Sequence, residues 1–219
     1  MMNASMIPDG GASSRRPRLS VALALSCMLL GTLVPARAAD AADPSAATLI
    51  EALLEGREPV GAPFDLIDQR GRRRTDVDFR GKLVLIYFGY THCPDVCPTE
   101  LQALSLALDM LGTAAEAVQP LFITIDPERD TPSHLADYVM AFHPRLVALT
   151  GEISAIRKVA LAYKVYFARN GAAQSGEYAV DHTGFVYLVG KDGHYLGFMT
   201  PESSPEQIVA AVRERLVDP

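Results

Sequence analysis

The feature that most constrains the fold is a continuous apolar run in the middle of the chain, Leu83–Phe88. Leucine, valine, isoleucine, tyrosine and phenylalanine follow one another there without the alternation that is typical of a half-exposed strand. A strand of this composition is buried on both faces, which requires further layers of structure above and below it. The run therefore predicts the central strand of a covered sheet.

Other strands and helices alternate along the chain on either side of this run. Hairpins are predicted over 64–68 with 75–79 and over 185–189 with 194–199, and single strands over 121–125 and 146–149. Helices are predicted over 98–111, 133–142, 153–163 and 204–216. In the last helix Ser204 is the expected N-cap, with Pro205 in the first helical position. We expect an α/β fold with a central mixed sheet flanked by helices and added hairpins.

The N-terminus has the pattern of an export leader. Three arginines within residues 15–18 precede an apolar run over 19–34, and Ala-Arg-Ala at 36–38 supplies small residues for a signal peptidase. The run is shorter than the about 20 residues of a comfortable membrane span, which favours cleavage over retention. We interpret residues 1–38 as a signal peptide or an N-terminal membrane anchor.

Residues 39–59 are interpreted as a tether or short helix, and residues 60–217 as one folded domain. The chain has 20 lysines and arginines against 26 aspartates and glutamates, a formal net charge of -6. Such a balance repels nucleic acid, and the basic run over 70–74 is interpreted as a solvated turn. We expect no nucleic-acid partner.

A pair of cysteines, Cys93 and Cys97, lies between the central strand and the next helix, whereas Cys27 is one more apolar residue of the leader. Backbone N–H groups at the start of a helix favour thiolates. If both cysteines were helical, their Cβ atoms would lie about 5–6 Å apart, more than the about 3.5–4.5 Å of a relaxed disulfide. This spacing favours a metal site. A disulfide stays open if Cys93 lies outside the helix.

Two thiolates favour a soft ion, either Cu(I) or zinc, which would usually take a further ligand. His182 is the most eligible histidine, because the polar segment 181–184 precedes a predicted strand and can reach the cysteine edge of the sheet. Asp181 could bond a ligand nitrogen or the neighbouring backbone. His92 is a weaker candidate, since the side chains of adjacent residues diverge. The remaining histidines are expected to face solvent: His134, His143 and His194.

The segment 126–132 follows a predicted strand and has two interpretations. In the first it is a rigid loop in which Arg129 pairs locally and Asp130 or Thr131 caps the next helix. In the second it docks a partner near the metal. The sequence leaves both open.

These residues resemble the Sco family, also called SenC, of cytochrome c oxidase assembly proteins. The matching segments are Asp68-Gln69, Gly81-Lys82, 87–98, 126–132, 149–151 and Asp181-His182. The resemblance implies a thioredoxin-like fold with one copper ion, as Cu(I), Cu(II) or both, held by Cys93, Cys97 and His182. It also implies a place in the cell envelope, on the periplasmic side of the inner membrane.

The function implied by the resemblance is copper delivery to the dinuclear site of a respiratory oxidase, or reduction of that site's cysteines. Expected partners are the copper-bearing subunit of cytochrome c oxidase, another copper carrier or a thiol reductase, and the N-terminus can associate with the membrane. The alternative is a thiol–disulfide oxidoreductase or thiol peroxidase that acts through Cys93 and Cys97. No proline adjoins His182, unlike in thioredoxin-type oxidoreductases, but the segment 96–101 resembles peroxidases. A redox or copper sensor would use the same residues.

Overall fold

The computed structural model describes residues 44–56, 58–171 and 178–217, and the predicted leader lies outside these residues. Within them runs a seven-stranded sheet with the strand order β2-β1-β5-β4-β3-β8-β9, and a separate sheet pairs β6 with β7. The strands are β1 Asp65–Asp68, β2 Arg73–Thr75, β3 Leu83–Gly89, β4 Val118–Thr124, β5 Val147–Thr150, β6 Phe167–Asn170, β7 Ala179–His182, β8 Val186–Val189 and β9 Tyr195–Met199.

The predicted central strand is confirmed as β3, in which every residue is buried. It pairs in parallel with β4 on one side and antiparallel with β8 on the other, so that Tyr87 lies opposite both Phe122 and Val186. β4 pairs in parallel with β5, whereas β1 pairs antiparallel with both β2 and β5. The sheet is therefore mixed, as the sequence predicts.

Helices cover the sheet: α1 Ala46–Glu55, α2 Val96–Leu111, α3 Pro132–Val139, α4 Ile153–Ala162 and α5 Pro205–Val217. α2 packs against α5, α5 contacts β3, and α3 contacts β5. At the start of α5 the hydroxyl of Ser204 accepts a hydrogen bond from the Gln207 N–H at 3.3 Å, which confirms the predicted cap. Among the described residues no helix is long and apolar enough to cross a membrane.

The first helix, α1, lies within the predicted tether. Its N-cap is Ser45, whose side chain accepts a hydrogen bond from the Thr48 N–H at 3.2 Å. Leu49 and Leu53 are buried, and Leu53 belongs to the main hydrophobic core. The short-helix alternative is therefore confirmed for this segment. The boundaries of the domain remain a prediction.

The second strand of the first hairpin was predicted wrongly. The strand is β2, and Asp76–Phe79 forms a 3₁₀ helix instead of the predicted strand over 75–79. The Thr75 N–H donates to the Asp78 carboxylate at 2.6 Å, and this capping interaction starts the helical turn. The basic run is also more than a solvated turn, because Arg72 forms an ion pair with the buried carboxylate of Asp68.

The small sheet of β6 and β7 was not predicted. Asp181 and His182, placed in a loop by the sequence analysis, are the last residues of β7 and lie opposite Ala168 and Phe167. The segment Ala-Val-Asp-His has no apolar run of its own. Its extended conformation depends on backbone pairing with a strand further back in the chain, which local sequence does not reveal.

Two leucines on α2 test how far the core determines stability. Leu104 is 2% exposed and Leu106 is 45% exposed, so the same substitution probes burial alone. Leu104→Ala should lower the free energy of unfolding by about 2–5 kcal/mol, because it leaves a cavity in the core. Leu106→Ala should lower it by less than about 1 kcal/mol. Chemical denaturation measures both values, and equal losses would contradict this placement of α2.

Candidate metal centre

Three elements bring the predicted ligands together at one edge of the sheet. Cys93 lies in the loop after β3, and Cys97 lies in the first turn of α2. β8 runs antiparallel beside β3, so the chain that enters β8 passes the edge where β3 ends and carries His182 there. The two Sγ atoms and a ring nitrogen of His182 all lie within 4.8 Å of one another. The structure thus brings all three predicted residues into one group.

Cys93 lies outside α2, which meets the condition on which the disulfide alternative depended. The backbone N–H of Cys97 donates to the Cys93 Sγ at 3.4 Å, so the sulfur satisfies one of the free N–H groups in the first turn of the helix. Neither cysteine forms a disulfide in the structure. The geometry therefore leaves a disulfide as well as a metal site chemically open.

The two sulfurs have opposite electrostatic environments. Hydrogen bonding by the Cys97 thiol, with further donors at His182 and the backbone N–H groups of Asp95 and Cys97, holds the pKa of Cys93 far below its usual range despite partial burial. The neighbouring Cys93 sulfur and burial raise the pKa of Cys97 well above its usual range. At neutral pH the pair therefore holds one thiolate, on Cys93, and one thiol.

The ring of His182 is oriented for ligation by the backbone and by two tyrosines. Its Nδ1 lies 3.1 Å from the carbonyl oxygen of Thr183, which accepts the Nδ1 proton, and its Nε2 lies 3.4 Å from the Cys97 Sγ. Protonated Nε2 can donate to sulfur, whereas the deprotonated nitrogen offers its lone pair to a metal. The edges of Tyr87 and Tyr90 enclose the ring at centroid distances of 6.3 and 6.1 Å.

Tyr87 and Gly89 are site residues that the sequence analysis did not identify. They lie two positions apart on β3 and so face the same side of the sheet, towards Cys97. A Cβ atom on Gly89 would lie 2.9 Å from the Cys97 Sγ, closer than real contacts allow. Burial raises the pKa of Tyr87 far above its usual range, so it stays a phenol. The period-two spacing from a buried strand was the signal that could have found both residues.

Other predicted residues lie elsewhere. His92 does not join the thiols, as expected from its place next to Cys93. Asp181 bonds neither His182 nor nearby backbone, and instead accepts a hydrogen bond from the Asn170 side chain at 3.2 Å, because it points across β6 and β7. His194 is solvent-exposed as predicted, but the side chain of His143 is only 13% exposed. His143 is held in place by the Arg145 N–H, which donates to its Nδ1.

His134 is exposed, as predicted. It lies in the first turn of α3, and its Nε2 is 2.9 Å from the hydroxyl oxygen of Thr91. Helix position alone could not indicate this contact, because Thr91 lies 43 residues earlier in the chain.

The segment 126–132 is a rigid loop, which confirms the first of its two interpretations. Arg129 pairs with the buried carboxylate of Asp126, and its guanidinium lies over the ring of Tyr178 at 3.6 Å. The Tyr178 hydroxyl also donates to Asp126 at 2.6 Å. Thr131 caps α3 by accepting a hydrogen bond from the His134 N–H. A role in docking a partner stays a prediction.

Comparison with known proteins shows which family the chain belongs to. The family model described as SCO1/SenC matches residues 54–217. The chain belongs to the SCO1/SenC family. The resemblance found in the sequence is thereby confirmed.

Curated SCO1/SenC relatives include mitochondrial proteins of animals. The bovine SCO2 homolog is 45% identical over 155 residues, which cover 70% of this chain and 58% of the relative. The human SCO1 homolog is 43% identical over 159 residues, which cover 72% of this chain and 53% of the relative. The chain therefore spans a little over half the length of these relatives.

Solved SCO1/SenC structures share the fold. ScoI of Bradyrhizobium japonicum, solved with copper bound, is 41% identical to this chain with a TM-score of 0.67. The match covers 71% of this chain and 99% of the ScoI chain. Yeast Sco1, also solved with copper bound, is 35% identical with a TM-score of 0.69, and the match covers 74% of this chain and 91% of that one. The predicted thioredoxin-like fold is confirmed.

The difference between the two sulfurs predicts a distinctive alkylation profile. Because the pKa of Cys93 is lowered, its thiolate persists at about pH 6, where an ordinary thiol with a pKa near about 8.5 is less than about 1% ionised. Iodoacetamide should therefore label Cys93 at a nearly constant rate between about pH 5 and 8, whereas an ordinary thiol reacts about tenfold faster per pH unit. Cys97 should stay unlabelled, since it is fully buried. Peptide mass spectrometry measures both rates.

The matched control is the same protein unfolded in guanidinium, where both cysteines should regain the ordinary pH dependence. A tenfold rise per pH unit at Cys93 in the folded protein would show that its thiolate is not stabilised.

Proposed function

We propose that this protein is a copper metallochaperone that binds one copper ion through Cys93, Cys97 and His182 and delivers it to the dinuclear copper site of cytochrome c oxidase. The observation that carries the proposal is the convergence of two sulfurs and one imidazole nitrogen within 4.8 Å. Membership of a family whose solved members include copper-bound structures supports copper as the ion.

The chemistry of this donor set suits copper in either oxidation state. Two thiolates favour soft Cu(I), and an imidazole also stabilises Cu(II). The complex with two thiolates carries a charge of about -1 as Cu(I) and none as Cu(II), so the site accepts both ions. Copper binding would ionise the Cys97 thiol and release its proton.

The arrangement also suits transfer. Cys97 and His182 are held by α2 and β7, whereas Cys93 lies on a loop and is partly exposed. Three protein ligands leave copper with an open coordination position. A ligand from the copper-bearing subunit of the oxidase can therefore enter from the side of Cys93 while the other two ligands still hold the ion. Another copper carrier could load the site by the same route.

The proposed location is the periplasmic side of the inner membrane. The arginines and the apolar run at the N-terminus support export, with the leader either removed or kept as an anchor. This location would place the protein in the compartment that its partner's copper site faces. It is also oxidising, so the cysteine pair would there be oxidised to a disulfide, and a thiol reductase would have to supply the two electrons that restore the copper-binding dithiol.

A thiol–disulfide reductase is the second candidate function. It is favoured by one observation, the lowered pKa of a partly exposed cysteine that lies beside a buried one. This is the arrangement in which one sulfur attacks a disulfide and the other resolves the mixed disulfide. In that function the substrate would be the oxidised cysteine pair of the oxidase site, and His182 would not be needed as a ligand.

Copper binding separates these functions. The full chain, reduced and loaded with Cu(I), should retain one copper per chain after passage over a mild chelator. Cys93→Ser, Cys97→Ser and His182→Ala should each weaken binding by at least about tenfold, since even residues that merely orient ligands have effects of that size. The exposed His194 supplies the matched control, and His194→Ala should bind like the unaltered protein. Elemental analysis measures the copper content.

A chain that retains no copper, or one whose affinity survives His182→Ala unchanged, would disprove the three-ligand site. Thiol–disulfide exchange activity that is retained in the His182→Ala variant would then favour the reductase.

Delivery needs a separate experiment with the partner. The copper-loaded protein should transfer copper to the copper-free, fully reduced soluble domain of the oxidase subunit, because a partner with more ligands binds the ion more tightly. Since the partner's cysteines are already reduced, reductase activity alone cannot produce this result. Copper analysis after separation of the two proteins measures the transfer. Absence of transfer, together with reduction of the oxidised partner, would establish the reductase alternative.

A further inference from the structure

A second group of metal-ligating side chains lies next to the thiol site in the chain but uses other residues. Ring nitrogens of His92 and His134 and a carboxylate oxygen of Asp130 lie within 4.8 Å of one another. His92 follows β3, Asp130 lies in the rigid loop over 126–132, and His134 lies in the first turn of α3. The group is therefore built from elements whose positions the fold determines.

The carboxylate of Asp130 is fully buried and accepts three hydrogen bonds. Its Oδ1 accepts from the Thr91 hydroxyl at 2.5 Å, and its Oδ2 accepts from the Thr91 N–H at 3.1 Å and the Thr124 hydroxyl at 2.6 Å. In the described part of the chain no lysine or arginine pairs with it, and the nearest basic group is His92, whose Nδ1 is 3.8 Å from Oδ1. A buried carboxylate held by neutral donors alone is costly, and a cation would offset that cost.

Two imidazoles converge on this carboxylate. The rings of His92 and His134 stack at a centroid distance of 5.3 Å and an angle of 26°. His92 Nδ1 and His134 Nε2 lie 3.1 and 2.9 Å from the same atom, the Thr91 hydroxyl oxygen that donates to Asp130. Three groups that ligate metals therefore converge on the Thr91 hydroxyl oxygen near the protein surface, which an incoming ion would displace or bind as a further ligand.

We propose that His92, His134 and Asp130 form a second metal site, which takes a divalent cation of intermediate softness such as Zn(II), Ni(II) or Cu(II). Imidazoles and carboxylates are the ligands that such ions accept, whereas soft Cu(I) favours the neighbouring thiolates. Only the thiol site would thus suit Cu(I), whereas divalent ions fit both sites. This inference does not rest on the proposed function, because it uses none of the thiol site's ligands.

The dimensions of the group suit such an ion after a small movement. In a tetrahedral site with bonds of about 2.0–2.1 Å, ligand atoms lie about 3.3 Å apart. His92 Nδ1 and Asp130 Oδ1 are 3.8 Å apart, and the His92 side chain is 43% exposed, so its rotation can close the gap. The buried carboxylate stays in place, because the Thr91 N–H and the Thr124 hydroxyl, which donate to its Oδ2, orient it as outer groups orient ligands in known metal sites.

Zinc binding to a chain without thiols tests the proposal. The probe is Zn(II), titrated by calorimetry into the full chain purified without a histidine tag, with all three cysteines replaced by serine. One zinc ion per chain should bind. His134→Ala in the same background should weaken binding by at least about tenfold, because it removes a ligand. His194→Ala is the matched control, since His194 is an exposed histidine outside the group, and it should leave the affinity unchanged.

A second readout shows which atoms bind. With Cu(II) as the probe, electron paramagnetic resonance should show two nitrogen ligands in the cysteine-free chain and one after His134→Ala. Circular dichroism of each variant establishes that it is folded. The proposal is overturned if the folded cysteine-free chain binds no zinc, or if His134→Ala and His194→Ala have equal effects. The group would then be a hydrogen-bonded network alone.

Discussion

The pairing of β3 between β4 and β8 is the constraint on which the rest of the structure depends. Every residue of β3 is buried, so its backbone groups must bond to neighbouring strands because water cannot reach them. Parallel pairing of β3 with β4 and antiparallel pairing with β8 then bring three chain segments to the edge where β3 ends. Cys93 leaves β3 at that edge, the rigid loop follows β4 there, and His182 precedes β8.

The same edge holds two groups of different chemistry. In the cysteine site, the rings of Tyr87 and Tyr90 flank His182. The negative charge is confined to Cys93, because the neighbouring Cys93 sulfur and burial raise the pKa of Cys97. The histidine and aspartate group is open to solvent on the side of His92, and its carboxylate is anchored by threonine hydroxyls from two segments. Softness of the ligands gives the cysteine site its preference for Cu(I), whereas divalent ions suit both groups.

Sequence patterns predicted those elements whose own residues decide their conformation. The short run Leu83–Phe88 is rich in β-branched and aromatic residues, which favours a buried strand, and Ser204-Pro205 starts a helix through its own cap. The wrong predictions concern residues whose conformation or exposure depends on contacts with other parts of the chain. β7 is extended because β6 pairs with it, and His143 is enclosed by residues distant in the chain. The turn after β2 was misjudged because a single contact, from Thr75 to Asp78, selects a 3₁₀ helix there.

The sequence by itself determined the fold class, the family resemblance and the identity of the candidate ligands, since residue type and spacing alone carry donor chemistry and strand or helix pattern. Only the tertiary structure decided where those donors meet. It placed Cys93 outside the helix, turned Nε2 of His182 towards sulfur, and joined His134 to Asp130 and His92 across segments far apart in the chain. The physical reason is that such contacts depend on packing and strand pairing between remote segments, which no local pattern encodes.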